Sequence, residues 1–225
     1  MVREEFIKPI WKDNFSAIAM SSSEEYLPYL SVCLQSLVEH TSKNHNYDIV
    51  VFSSAENEEC KNVIINYFSC ENISIRFFNP KKMLDGVNLN VTHSYFNEAC
   101  YYRIVAPLVF KQYPKVIFTD IDLIFQEDIK ELYSIDLDSY PITATIEPIW
   151  KEFIDKNKTI CNINIRKYAK DALKLTDIKK YYNTGVVVFN IEEFNKNNYV
   201  EQLFDIINNK YLIYQEQDAL NCLLS

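Results

Sequence analysis

The sequence predicts an α/β fold with a mostly parallel central sheet and helices on both faces. Short apolar, β-branched runs alternate with stretches whose apolar residues recur at helical spacing. One such run, Val116-Ile117-Phe118-Thr119-Asp120-Ile121-Asp122-Leu123-Ile124-Phe125, closes on two carboxylates one residue apart. The 225 residues, 48% of them hydrophobic, suffice for one sizeable core.

Residues 15–20 read as a first strand. A helix follows over 26–39, with Leu30, Cys33, Leu34 and Leu37 on one face, Ser22 or Ser23 as its cap and acids in its first turn. A strand at 47–52, a helix at 56–68 and a strand at 73–78 complete a βαβαβ pattern, whose right-handed crossovers imply parallel pairing. After a loop over 80–94 comes a helix at 97–110, which Pro107 kinks or ends, and then the strand carrying Asp120 and Asp122. A short helix at 128–133, strands at 142–146 and 185–190 and a helix at 199–208 are expected beyond it, with the polar stretch 151–180 left unassigned. No Pro/Gly/Ser linker, repeat or low-complexity segment interrupts the chain, so one domain spanning 1–225 is expected.

Composition excludes several functions. A net charge of −8 argues against nucleic-acid binding, which needs a basic face. Gly86 and Gly185 are the only glycines, which rules out both a Gly-x-Gly-x-x-Gly dinucleotide loop and a Walker-type phosphate loop. A phosphorylated ligand would therefore need a cation. The six cysteines form no Cys-x-x-Cys and read as reduced, mostly buried thiols. Residues 1–12 lack a signal-peptide core and no segment offers about 18 uninterrupted apolar residues, so a cytoplasmic location is expected.

The Asp-x-Asp supports two readings. Carboxylates converging at a strand end can hold a hard divalent cation, which commonly neutralises substrate phosphates. The same pair could instead be an Asp turn or a helix cap.

Five segments together resemble glycosyltransferase family 8, the group of glycogenin and the bacterial lipooligosaccharide galactosyl- and glucosyltransferases. They are Tyr26-Leu27-Pro28-Tyr29-Leu30-Ser31-Val32 with Gln35-Ser36; Tyr102-Arg103-Ile104-Val105-Ala106-Pro107; Phe118-Thr119-Asp120-Ile121-Asp122 followed by Asp128-Ile129-Lys130-Glu131-Leu132-Tyr133; Tyr182-Asn183-Thr184-Gly185-Val186; and Gln215-Glu216-Gln217-Asp218-Ala219-Leu220-Asn221. The resemblance spans 16–221, in the family's order and at roughly its separations.

That resemblance implies a GT-A type nucleotide-sugar-binding fold and retaining transfer of glucose or galactose from a UDP-sugar to a glycan or lipooligosaccharide-type acceptor. It assigns Mn²⁺ or Mg²⁺ to Asp120 and Asp122, and places Arg103 near the donor sugar, with Asn183 and Gly185 against it. Gln217 matches the glutamine beneath the anomeric carbon. A neutral amide is a poor nucleophile, so front-face attack is the expected mechanism. Glu216 and Asp218 become candidates for positioning sugar or acceptor, and Glu147 aligns with an acidic acceptor-site position. Peripheral membrane association through the acceptor is compatible with this reading.

Two departures stand out. Ser21-Ser22-Ser23 occupies the place where the family usually carries a base-contacting acid, making Ser23 the candidate there. The family's later His-x-x-Gly-x-x-Lys-Pro-Trp segment, with a metal ligand and a diphosphate lysine, is not in this sequence, so a truncated domain with weak donor binding is expected. His93 lies in a loop that in relatives lines the nucleotide site. Two alternatives remain: a non-catalytic nucleotide-sugar-binding domain, and a haloacid-dehalogenase-type phosphatase with Asp120 as nucleophile and Asp122 as acid/base.

Overall fold

The computed structural model describes residues 6–89, 98–160 and 162–224. Strands β1 (Phe15–Ser21), β2 (Asn46–Phe52), β3 (Ile73–Phe78), β4 (Lys115–Thr119) and β5 (Ile142–Ile146) precede a two-stranded hairpin, β6 (Thr159–Ile160) and β7 (Ile163–Asn164), and a long strand β8 (Tyr182–Asn190). The six-stranded sheet has the order β3-β2-β1-β4-β8-β5. β1, β2, β3 and β4 pair in parallel, whereas β8 runs antiparallel to both β4 and β5. The expected mostly parallel sheet thus contains one reversed strand.

Helices α1 (Leu27–Glu39), α2 (Glu58–Phe68), α3 (Tyr102–Val109), α4 (Lys130–Tyr133), α5 (Pro148–Asp155), α6 (Ile165–Lys167), α7 (Ile191–Lys196), α8 (Tyr199–Asn209) and α9 (Gln215–Leu224) complete the order. α1 buries Leu30, Cys33, Leu34 and Leu37, the face its spacing indicated. Its entry differs from expectation. A 3₁₀ turn at Glu24–Tyr26 leads into it, the Ser23 side chain makes no capping bond, and the Ser22 hydroxyl donates instead to the Ser23 carbonyl at 2.9 Å. Asn57, by contrast, caps α2, accepting from the Cys60 amide at 2.9 Å.

The helix expected at 97–110 is a 3₁₀ turn, Glu98–Tyr101, running into α3, and Asn97 lies outside the described residues. Pro107 sits in the last turn of α3, where it removes the bond to the Arg103 carbonyl, and the helix ends two residues later at Val109. The unassigned stretch 151–180 holds part of α5, the β6/β7 hairpin, α6 and a π turn. The thiols depart from expectation as well: of the five described cysteines, all free, only Cys33 is buried, and Cys70 is exposed. Burial lifts the Cys33 thiol to about 12.

Candidate active site

The chain leaves β1 towards β2 and β3 and returns on the other side of β1 as β4, so the sheet's switch point lies between β1 and β4. A crevice opens at that point beyond the carboxyl ends of parallel strands. Ser21, Ser22 and Ser23 follow β1 into one wall; Asp120, Ile121 and Asp122 follow β4 into the other; Arg103 and Cys100 close the base. This cavity measures about 320 Å³. The Ser23 hydroxyl lines it, is shielded from solvent and has no hydrogen-bond partner among the described residues.

Because β8 is reversed, its beginning rather than its end meets the end of β4. Thr119 pairs with Val186, and the Asp120 amide donates to the Gly185 carbonyl at 2.7 Å. At Gly185 any side chain would force its neighbours to move. A Cβ there would stand 2.8 Å from Asp120 Oδ2 and 2.9 Å from Asn183 Oδ1, closer than real Cβ contacts run. Asn183 is held at both ends of its amide: Oδ1 accepts from the Gly185 amide at 2.7 Å, and Nδ2 donates to Glu147 Oε2 at 2.6 Å. Glu147 follows β5 and caps α5, its Oε1 accepting from the Ile149 amide at 3.0 Å.

Arg103, only 4% exposed, joins four segments. It donates to Asp120 Oδ1 and to the Thr184 carbonyl, reaches the Cys100 carbonyl at 3.4 Å and stands 3.3 Å from Glu216 Oε1. Its guanidinium carbon also lies 5.1 Å from the centre of the Phe118 ring. Burial alone would lower its basicity, but Asp120 and Glu216 more than offset this, and the net shift is upward. Glu216 shows the opposite balance: burial outweighs the Arg103 contact and lifts its carboxyl to about 7.

Gln217 sits between two smaller cavities. One, about 150 Å³, is shared with Asn183, Thr184, Gly185 and Glu216; the other, about 220 Å³, is walled by Glu147, Ile149, Trp150, Phe153, Tyr181 and Tyr214. Both ends of its amide are engaged. Oε1 accepts from the Thr184 amide at 3.0 Å and the Thr184 hydroxyl at 3.3 Å, while Nε2 donates to the Tyr181 hydroxyl at 3.2 Å.

The structure therefore brings Asp120, Asp122, Arg103, Ser23, Asn183, Gly185, Glu147, Glu216 and Gln217 around one elongated cleft. Asp218 is not among them. It is 0% exposed and turned inward, accepting from the hydroxyls of Tyr168 and Tyr181 and from the Tyr214 amide, each at 2.7 Å. The Tyr181 hydroxyl bonds both side chains, accepting from Gln217 Nε2 and donating to Asp218 Oδ1, with Gln217 on the cleft side and Asp218 buried behind it. Direct contact with sugar or acceptor is thus replaced by a structural anchor. His93 lies outside the described residues. Thr184 and Tyr181, which orient Gln217, carry no role in the sequence alone, although Thr184 lies within the Tyr182-to-Val186 run and Tyr181 adjoins it.

The donor chemistry at Asp120 and Asp122 fits a hard divalent ion in part. Asp122 is exposed, Asp120 Oδ2 looks onto the bare Cα of Gly185, and the loop after Asp122 is pinned to α1 by the Phe125 amide donating to Ser36 Oγ at 3.0 Å. No group of three or more His, Cys, Asp or Glu that could hold a metal exists among the described residues. Two carboxylates with the rest of the shell supplied by phosphate and water is a common arrangement for such ions. None of the described helices is long and apolar enough to cross a membrane.

Among solved structures, the bifunctional glycosyltransferase WbbM in its apo form superposes with a TM-score of 0.87 at 24% identity, covering 97% of this chain and 39% of that one. The galactosyltransferase LgtC, in complex with donor and acceptor sugar analogues, superposes with a TM-score of 0.74 at 19% identity over 92% of this chain and 70% of that one. At such identities the likeness shows the fold, which is of the GT-A type. In sequence, the chain is 29% identical over 208 residues to a Haemophilus influenzae protein whose name assigns it to the glycosyltransferases, covering 91% of this chain but only 58% of that relative. General stress protein A of Bacillus subtilis is 25% identical over 224 residues, 95% of this chain and 70% of that protein. The description of glycosyl transferase family 8 matches residues 17–225, which removes the phosphatase alternative: the chain belongs to glycosyl transferase family 8.

Proposed function

We propose that the chain is one GT-A domain that transfers glucose or galactose from a UDP-sugar to a glycan acceptor, with retention and with Mn²⁺ or Mg²⁺ held by Asp120 and Asp122. The observation that carries this is the packing of Gly185 against Asp120 and Asn183, where a single methyl group would collide with both oxygens. A strand glycine with an ordinary φ needs another reason to be glycine, and the Asp120 and Asn183 oxygens supply it: the bare Cα lets both side chains close on the backbone at the edge of the cleft.

In this reading the nucleotide base lies along Ser21, Ser22 and Ser23, and the diphosphate beside Asp120 and Asp122. The ion supplies charge neutralisation and Lewis acidity to the departing diphosphate. Arg103 fixes the Asp120 carboxylate through Oδ1, with Oδ2 against the Gly185 Cα at the edge of the cleft, and adds a buried positive charge below the diphosphate. Asn183 orients sugar hydroxyls while Glu147 holds its amide in place. An acceptor hydroxyl entering on the leaving-group side forms the new bond to the anomeric carbon as the bond to the diphosphate breaks, and its proton passes to a phosphate oxygen. Gln217 stays neutral, its carbonyl committed to Thr184, and its dipole favours the oxocarbenium-like transition state. Gln217→Ala is accordingly expected to lower turnover with little loss of donor affinity.

The decisive experiment is a thermal-shift and hydrolysis screen of UDP-glucose, UDP-galactose and other nucleotide sugars with and without Mn²⁺. At about 100-fold excess over Kd, specific binding adds about 2.7 kcal/mol, a rise of roughly 5–10 °C for a chain of this size. The same melting temperature with and without every donor, metal present, would rule out the proposal.

A further inference from the structure

Residues 151–180 contain nine Lys or Arg and four Asp or Glu, a surplus of five positive charges; the chain as a whole is at −8, so the remainder carries −13. All nine basic side chains are exposed. Phe153 of this segment lines the aromatic cavity at the end of the cleft remote from the Ser21–Ser23 wall, and the segment's two ends adjoin other wall residues in sequence. Lys151 follows Trp150 and Lys180 precedes Tyr181, and those two rings stack at 4.0 Å with an interplanar angle of 14°. Lys179 ties the two flanks together, its Nζ 2.8 Å from Oδ1 of Asp155, the last residue of α5. Lys156 and Lys158 share Glu152, but Lys151, Lys167, Lys170, Lys174 and Lys180 form no ion pair among the described residues.

An ordinary solvated surface follows the composition of its chain, and this one inverts it. A field confined to the mouth of a cleft raises the local concentration of an oppositely charged ligand and orients its entry. In the transferase reading the donor's negative charge is met elsewhere, by Arg103 and the divalent ion that Asp120 and Asp122 would hold. A bilayer is a poorer match, because no described residue of 151–180 exposes a large hydrophobic side chain that could enter the interface.

We propose that the acceptor is an anionic glycan, carrying phosphate or carboxylate groups near the hydroxyl that receives the sugar, and that 151–180 is its docking surface. The proposal rests on the transferase reading of the cleft. Glu147 and the aromatic wall meet the sugar; the lysines on either side meet its charges.

The test compares binding of phosphorylated pentamannose with that of the same oligosaccharide after phosphatase treatment, by calorimetry at 50 and 200 mM NaCl. The phosphorylated form is expected to bind about tenfold more tightly at low salt, with the advantage shrinking at high salt. Lys151→Glu/Lys180→Glu, at two exposed positions, is expected to remove about three- to tenfold of that affinity and leave UDP-sugar binding unchanged. Equal binding of the two sugars, or an unaffected double variant, overturns the proposal. So does sedimentation with phosphatidylglycerol vesicles that the double variant abolishes while the two sugars bind alike, which would assign the surface to a membrane. UDP-galactose with Mn²⁺ is measured in parallel: a missing donor shift alongside retained phosphate discrimination counts against the transferase reading alone, and the reverse result against the docking surface alone.

Discussion

Substituting alanine at Gly185 tests whether the glycine serves the cleft or the fold. To reach ordinary contact, Asp120 Oδ2 and Asn183 Oδ1, at 2.8 and 2.9 Å from the new Cβ, must each retreat by about 0.5 Å. Neither is free to do so: Asp120 is held by Arg103, and Asn183 by the Gly185 amide and Glu147. Overpacking of this kind costs ~1–3 kcal/mol, or roughly 2–12 °C in Tm for a chain of this length. The φ of Gly185 is ordinary, so no backbone strain adds to that. If the carboxylate swings aside to relieve the contact, Mn²⁺-dependent donor affinity falls about tenfold or more, which is 1.4 kcal/mol or above. Gly86 is the control. It has φ +84° with nothing within 4 Å of its virtual Cβ, so Gly86→Ala should cost about 1–2 kcal/mol of stability and leave donor binding alone. Calorimetry and melting curves on the two variants separate the effects. A donor Kd for Gly185→Ala within twofold of the parent would refute the reasoning.

Asp122→Ala should remove metal-dependent donor binding while leaving the fold intact, because the side chain is exposed; equal UDP affinity with and without Mn²⁺ in the parent protein would sink this. Tyr181→Phe keeps the ring on Trp150 but deletes the hydroxyl linking Gln217 Nε2 to Asp218 Oδ1, so kcat should drop about tenfold at constant donor KM. An unchanged kcat would mean that Gln217 needs no such support. Glu216 supplies a pH signature: with its carboxyl raised from 4.5 to about 7, the folded state holds a proton that the unfolded chain releases. Its stabilisation is complete below pH 4.5 and is lost as pH rises through 7, so Glu216→Gln should flatten the Tm profile across that window.

Periodicity made most of the first half of the fold readable. Apolar runs and amphipathic stretches placed β1, α1, β2, α2 and β3 within a few residues, since each element's burial pattern is written in its own side chains. The stretch 151–180 resisted because its elements are short and polar: β6 and β7 have two residues each, and α6 has three. The cysteines misled for a related reason. A small apolar residue carries no periodic signal of its own, and four of the five described lie where the surface happens to pass. Asp218 differs from expectation because three buried donors, the Tyr168 and Tyr181 hydroxyls and the Tyr214 amide, take up its carboxylate, and no local pattern records partners so far apart in sequence.

Strand direction was the other feature that local pattern could not supply, and the proposed site depends on it. A buried strand reads the same in either orientation, since alternation and apolar content carry no polarity. Had β8 run parallel to β4, Asn190 rather than Gly185 would neighbour Asp120, and Gly185, five residues back, would lie about 17 Å from the carboxylate. Reversal carries Asn183, Thr184 and Gly185 to the carboxyl edge of the parallel strands, beside Asp120. It also places Tyr182 opposite Ile146, so that Glu147 meets Asn183. Three segments distant in sequence thus converge because one strand of the sheet is antiparallel, and Arg103 then joins Asp120, Thr184 and Glu216 across the junction.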